Sequence, residues 1–86
     1  MNKHILFLMD HLVNPDKYTK AQLKANDAGA WAAYVDGIVD DAVHWVAYAA
    51  AYYSTSGATD DASYWVDEYF DITSEDKQTY IDKLGE

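Results

Sequence analysis

Residues 28–53 read AGAWAAYVDGIVDDAVHWVAYAAAYY, and the phase of the apolar side chains in this stretch decides the fold. Ala28, Trp31, Ala32, Val35, Ile38, Val39, Ala42, Val43, Val46, Ala49, Ala50 and Tyr53 recur at helical spacing. At about 100° per residue they occupy roughly 120° of a helix circumference. Asp36-Gly37 has the local chemistry of a turn, yet the stripe keeps its phase through it. Turns do not normally preserve phase. The spacing therefore predicts one long helix from Lys20 to Ser54, about 50 Å long at 1.5 Å per residue, straight or kinked at Gly37. The competing reading is two helices broken at Gly37.

Outward from this stretch the punctuation is helical too. Ile5, Leu8, Met9 and Leu12 place one apolar face on a helix from Asn2 to Val13. Asn14-Pro15-Asp16 stops it, because a residue before proline is pushed out of the helical region. Thr19 with Gln22 three positions later has the pattern of a capping box that opens the next helix. Ser54-Thr55-Ser56-Gly57 ends the long helix. Thr59 is the expected cap of a fourth segment, with Asp60 and Asp61 in its first turn, where negative charge suits the helix dipole. Its apolar face is Ala62, Trp65, Val66, Tyr69 and Phe70, and a last helix begins after Thr73 or Ser74 and carries Tyr80, Ile81 and Leu84. No stretch alternates with a period of two. The class is all-α: a small helical bundle built on one long central helix with three to four short helices packed on it, residues 1–86 forming one domain.

Composition narrows the function. Half of the 86 residues are hydrophobic and 15% are aromatic, enough for a modest core. There is no cysteine, so disulfides, thiolate metal sites and cysteine nucleophiles are all excluded, and a cytoplasmic setting is expected. The apolar run Ile5 to Met9 is too short for a signal-peptide core or a membrane span. Fifteen acidic residues face six lysines, for a formal charge of −9. Such a surface repels nucleic acid and anionic membrane and attracts basic proteins.

Catalytic constellations are hard to find. His4 and His11 stand seven residues apart, poor spacing for joint metal ligation, and read as surface or half-buried imidazoles. Asp40, Asp41 and His44 are neighbours on a helix surface, and dimetal bundles use a similar carboxylate–histidine pair. Those bundles need a second such motif, which this chain lacks, so the preferred reading is a solvated polar face. No glycine-rich phosphate loop is present. Neither an enzyme nor a cofactor or metal site is expected.

A binding surface is the better reading. Tyr34, Asp41, Tyr48 and Tyr52 line up opposite the apolar stripe, with Trp45 and Asp27 at its edge and Asp36 and Asp40 adding to the acidic run. Tyr64, Asp67, Glu68 and Asp71 form a second aromatic and acidic patch. Tyrosine and tryptophan anchor protein interfaces because they bury large area at low entropic cost. The competing reading packs these tyrosines against the first or fourth helix.

The opening Met1-Asn2-Lys3-His4, Phe7-Leu8-Met9-Asp10-His11-Leu12 and Asn14-Pro15-Asp16-Lys17-Tyr18 resembles small proteins encoded by tailed bacteriophages. So do Ala47-Tyr48-Ala49-Ala50-Ala51-Tyr52-Tyr53 and Tyr64-Trp65-Val66-Asp67-Glu68-Tyr69-Phe70. The resemblance implies a phage accessory protein, a group in which small acidic members often antagonise host enzymes or defence systems. The expected activity is then inhibition or modulation of a host protein, as an anti-CRISPR or anti-restriction factor, by occlusion of a basic surface. DNA mimicry is its sharper form, since carboxylates one helical turn apart, about 6 Å, approximate the spacing of phosphates along a strand. The expected partner is a host protein with a basic surface, with no direct binding of nucleic acid or membrane. The alternative is a structural or scaffolding protein that dimerises through the long helix.

Overall fold

A computed structural model describes residues 2–36 and 42–85, with the side chain of Ala42 left out. The described residues form five helices: α1 (Lys3–Val13), α2 (Lys20–Asp36), α3 (Ala42–Thr55), α4 (Thr59–Thr73) and α5 (Lys77–Leu84). None of them is long and apolar enough to cross a membrane.

The all-α class holds, but the single long helix does not. The residues on either side of positions 37–41 belong to two helices that run back along each other. Leu23 meets Thr55, whose hydroxyl shares its proton between the carbonyls of Leu23, at 3.1 Å, and Ala51, at 2.9 Å. Trp31 meets Tyr48, and Tyr34 meets Trp45, with ring centroids 4.9 and 5.6 Å apart. On a continuous helix Trp31 and Tyr48 would stand about 25 Å apart at 1.5 Å per residue. The longest dimension of the molecule, 34 Å, is also too short for a straight helix of that length. Preserved phase misled because two antiparallel helices can each carry an apolar stripe in register by coincidence. Gly37 itself lies outside the described residues.

α3 is nevertheless central, packed against α1, α2 and α4. Its inner face is made of small residues, with Val46, Ala47, Ala50 and Ala51 all buried. Alanine at these positions lets neighbouring helices approach closely. Ile5, Leu8 and Met9 of α1 and Val66 and Tyr69 of α4 complete the core with it, and Tyr80 of α5 joins through Phe70 and Tyr69. α2 sits differently: of its side chains only Ala30 is buried.

The helix ends explain where each element starts. Asn2 caps α1 by accepting from the amides of His4 and Ile5. The capping box before α2 forms as expected: the Thr19 amide donates to Gln22 Oε1 at 2.8 Å, and the Gln22 amide donates to Thr19 Oγ1 at 3.2 Å. α4 departs from expectation by one residue. Its cap is Ala58, which offers no side-chain acceptor, and Thr59 is already helical, with Asp60 and Asp61 in the first turn. α5 starts after Ser74, as expected, with Asp76 as its cap. Thr73 completes α4, its hydroxyl donating to the Tyr69 carbonyl at 2.7 Å, and Ser74 takes a left-handed conformation that ends that helix.

Two polar knots tie the bundle. Asp10, buried on α1, accepts from Lys17 Nζ at 2.7 Å, from Asn14 Nδ2 at 2.9 Å and from the Tyr18 hydroxyl. The loop between α1 and α2 is thereby folded back on α1, with Tyr18 stacked near Phe7. At the other end, Glu75 accepts from the hydroxyls of Tyr69 and Tyr80, and Tyr80 Oη in turn accepts from the Asn2 amide at 2.7 Å.

Candidate protein-binding face

The hairpin of α2 and α3 turns the alanine face of α3 inward and its aromatic face outward. Trp45, Tyr48 and Tyr52 follow one another at three- and four-residue intervals, so they share the side opposite Val46 and Ala50. α2 adds Trp31 and Tyr34. Together they close a circuit of rings: Trp31–Tyr34 at 5.6 Å, Tyr34–Trp45 at 5.6 Å, Trp45–Tyr48 at 6.0 Å and Tyr48–Trp31 at 4.9 Å. Tyr52 extends it from Tyr48 at 6.2 Å, and Tyr53 from Tyr52 at 5.5 Å. All the contacts within the circuit are tilted, an arrangement that aromatic quadrupoles favour over face-to-face stacking.

These rings are not a closed core. Trp31 keeps 47% of its surface exposed, Trp45 45% and Tyr52 50%. Valine adds to this side of α2, with Val35 57% exposed. A groove of about 230 Å³ runs beside the circuit, lined by Trp45, Tyr48, Ala49, Tyr52, Tyr53 and Trp65. A second depression of about 270 Å³ lies between Lys24, Asp27, Ala28, Trp31 and Tyr48. Tyr48 belongs to both. Its hydroxyl is pushed above the ordinary tyrosine pKa by burial, then by the charge of Asp27 and by Tyr52, so it stays protonated and can donate a hydrogen bond.

The structure gathers Asp27, Tyr34, Trp45, Tyr48 and Tyr52 from the set expected from sequence. Asp36 is exposed at the far end of α2 from Lys20. Asp40 and Asp41 lie outside the described residues, so their place on this face and their pairing with His44 do too. The second patch divides. Tyr64 is 56% exposed and meets Trp65 edge-on at 5.3 Å. Glu68 stands one helical turn after Trp65 and is half-buried, on the side of α4 that borders the groove. Asp67 turns the other way and pairs with Lys77 of α5 at 2.9 Å, and Asp71 is exposed.

Three residues of the face were assigned to the wrong side by periodicity. Trp31, Val35 and Tyr53 belong to the stripe that a single long helix would have buried, whereas the hairpin leaves Trp31 and Val35 exposed and Tyr53 half-buried at the groove. A signal was present: α2 combines Trp31 and Val35 with Asp27 and Asp36 and lacks any long run of large apolar residues to bury. Of the two histidines read as surface or half-buried, His11 is buried, whereas His4 is half-buried as expected. The His4 ring packs over Gly29 and its Nδ1 lies 3.0 Å from Asn26 Oδ1. Among the described residues no three His, Asp or Glu side chains gather as metal ligands would. No family model, curated protein or solved structure matches the chain.

Proposed function

We propose that this chain acts by binding a protein partner of basic character through the aromatic face of α2 and α3, and that it inhibits or modulates that partner by covering its surface. The observation that carries the reading is the circuit Trp31, Tyr34, Trp45 and Tyr48, which leaves two tryptophans nearly half exposed on a chain of charge −9. Exposed tryptophans packed against neighbouring tyrosines are already ordered, so docking costs little further side-chain entropy. The acids steer a basic surface into place, and the rings hold it. The resemblance to phage proteins gives the setting: a host defence protein, CRISPR or restriction, whose nucleic-acid groove is the basic surface occluded.

The test is affinity capture from a bacterial lysate, split into portions with and without excess duplex DNA. Capture of a nucleic-acid enzyme that DNA displaces is the expected result. Trp31→Ala and Tyr48→Ala should each weaken that complex by about 2 kcal/mol or more, as central aromatic anchors do. Full retention of a partner by both variants would place the binding surface elsewhere.

A second reading, self-association as a structural protein, is favoured by a separate feature. A groove of about 280 Å³ between α1 and α5 is lined by Met9, Val13, Ile81 and Leu84 among others, with Val13 75% and Ile81 46% exposed. Light scattering at tens of micromolar discriminates: a dimer lost on Val13→Asp would favour self-association, and a monomer would leave partner binding.

A further inference from the structure

The depression between α2 and α3 differs in chemistry from the rest of the aromatic face. Trp31 and Tyr48 form one wall, their ring planes inclined at 56°, and Asp27 brings a carboxylate beside them. Asp27 Oδ1 is cut off from solvent and has no hydrogen-bond partner, and no cation pairs with this carboxylate among the described residues. Burial raises its pKa, the signature of a charge whose solvation has been removed and not replaced. Native proteins rarely leave a buried polar atom unsatisfied, and each exception calls for an explanation.

A cation with an apolar stem answers every part of this arrangement. Aromatic faces carry a negative quadrupole and attract ammonium and guanidinium groups, most strongly where water is excluded. A carboxylate with one oxygen shut off from water gains more from an arriving counter-charge than a fully exposed one does. The depression, about 270 Å³, is open to solvent on one side, so a long side chain can enter it from outside. The chain's own Lys24 lines the rim without pairing to Asp27.

We infer that the notch formed by Asp27, Trp31 and Tyr48 receives an arginine or lysine side chain of the partner, its charged head beside the carboxylate and its stem on the rings. This rests on the reading of the face as one that binds a basic protein, and it names the contact that selects such a partner. Asp27 supplies the selectivity and the two rings supply the contact area. Lys24 opposes entry by like charge until it swings outward.

The test uses the intact chain and small probes, so it does not depend on knowing the partner. N-acetyl-arginine amide and N-acetyl-lysine amide are titrated while the indole N–H resonance of Trp31 is followed by NMR. N-acetyl-citrulline amide and N-acetyl-norleucine amide serve as neutral counterparts. Saturable binding is expected for the two cationic probes, about tenfold tighter than for the neutral ones. Asp27→Asn should abolish that preference with the amide spectrum otherwise unchanged, because the carboxylate holds no bond that the fold needs. Lys24→Ala should tighten both cationic probes. Equal binding of charged and neutral probes, or no saturable shift at Trp31, would overturn the assignment. If the lysate partner is captured while Asp27→Asn leaves its affinity unaltered, the notch assignment fails and the binding face stands. If the cationic probes bind but no basic partner is captured, the reverse holds.

Discussion

Asp10 shows how much one side chain can organise in a chain this small. It is buried on α1 and gathers Lys17, Asn14 and Tyr18 from the loop that follows. Hydrogen bonds from Lys17 and then Tyr18 hold its carboxyl below the ordinary aspartate pKa of 3.8, against the opposing effect of burial. Glu75 behaves alike: burial alone would raise it, but the Tyr69 and Tyr80 hydroxyls bring it below the ordinary value. For both, the folded pKa lies below the unfolded one. Their stabilisation is therefore complete above the unfolded value and is lost as pH falls through the folded one. Asp27 has the opposite sign, its raised value favouring the folded state only in acid. As the contributions of Asp10 and Glu75 are lost, the melting temperature should drop between roughly pH 5 and pH 3. Asp10→Asn should flatten that drop. Asp10→Ala should cost about 1–2 kcal/mol at neutral pH, chiefly the lost charged hydrogen bonds of Tyr18 and Asn14, since the exposed Lys17 contributes little. A thermal melt series across pH checks both, and an unchanged acid limb in Asp10→Asn would assign acid sensitivity to other groups.

Local elements were legible wherever one side chain decides the matter. Thr19 and Gln22 announce the start of α2, and Pro15 announces the end of α1, because each acts on the backbone within three residues. The pairing of elements was not legible. Which side of α2 is buried depends on where α3 lies, and periodicity within one helix carries no information about its neighbour. The same dependence governs Gly29, where an added Cβ would approach His4 Cε1 to 2.8 Å. The His4 ring is held by Asn26, so moving it costs that hydrogen bond. Alanine is favoured over glycine inside a helix by about 1 kcal/mol, and here the clash offsets the gain. Gly29→Ala alone should leave stability nearly unchanged. Combined with His4→Ala it should raise stability by about 1 kcal/mol relative to His4→Ala alone, a coupling that denaturant titration of the double-mutant cycle reads directly. Additive effects would show that His4 yields without cost.

At the scale of the molecule the charge of −9 should act with opposite signs on folding and on the proposed binding. Compaction brings like charges together, so screening them relieves self-repulsion. Raising salt from about 0.05 M to about 0.5 M should increase the melting temperature of the isolated chain, while weakening a complex held by charge. A complex that survives the same change intact would assign the affinity to the rings of the aromatic face. Composition alone made the charge visible, but the aromatic face required the hairpin, since Tyr34 and Trp45 stand eleven residues apart and meet only when the chain reverses.

The bond from the Asn2 amide to Tyr80 Oη joins positions 78 residues apart and brings the first and last described helices together. Tension applied across the two ends is taken up at this fastening before it reaches the interior. Were it to part, α1 and α5 would be the first elements under load, and α3, with the rings it carries, would be shielded until they gave way. The described chain thus behaves as a closed loop, fastened between α1 and α5.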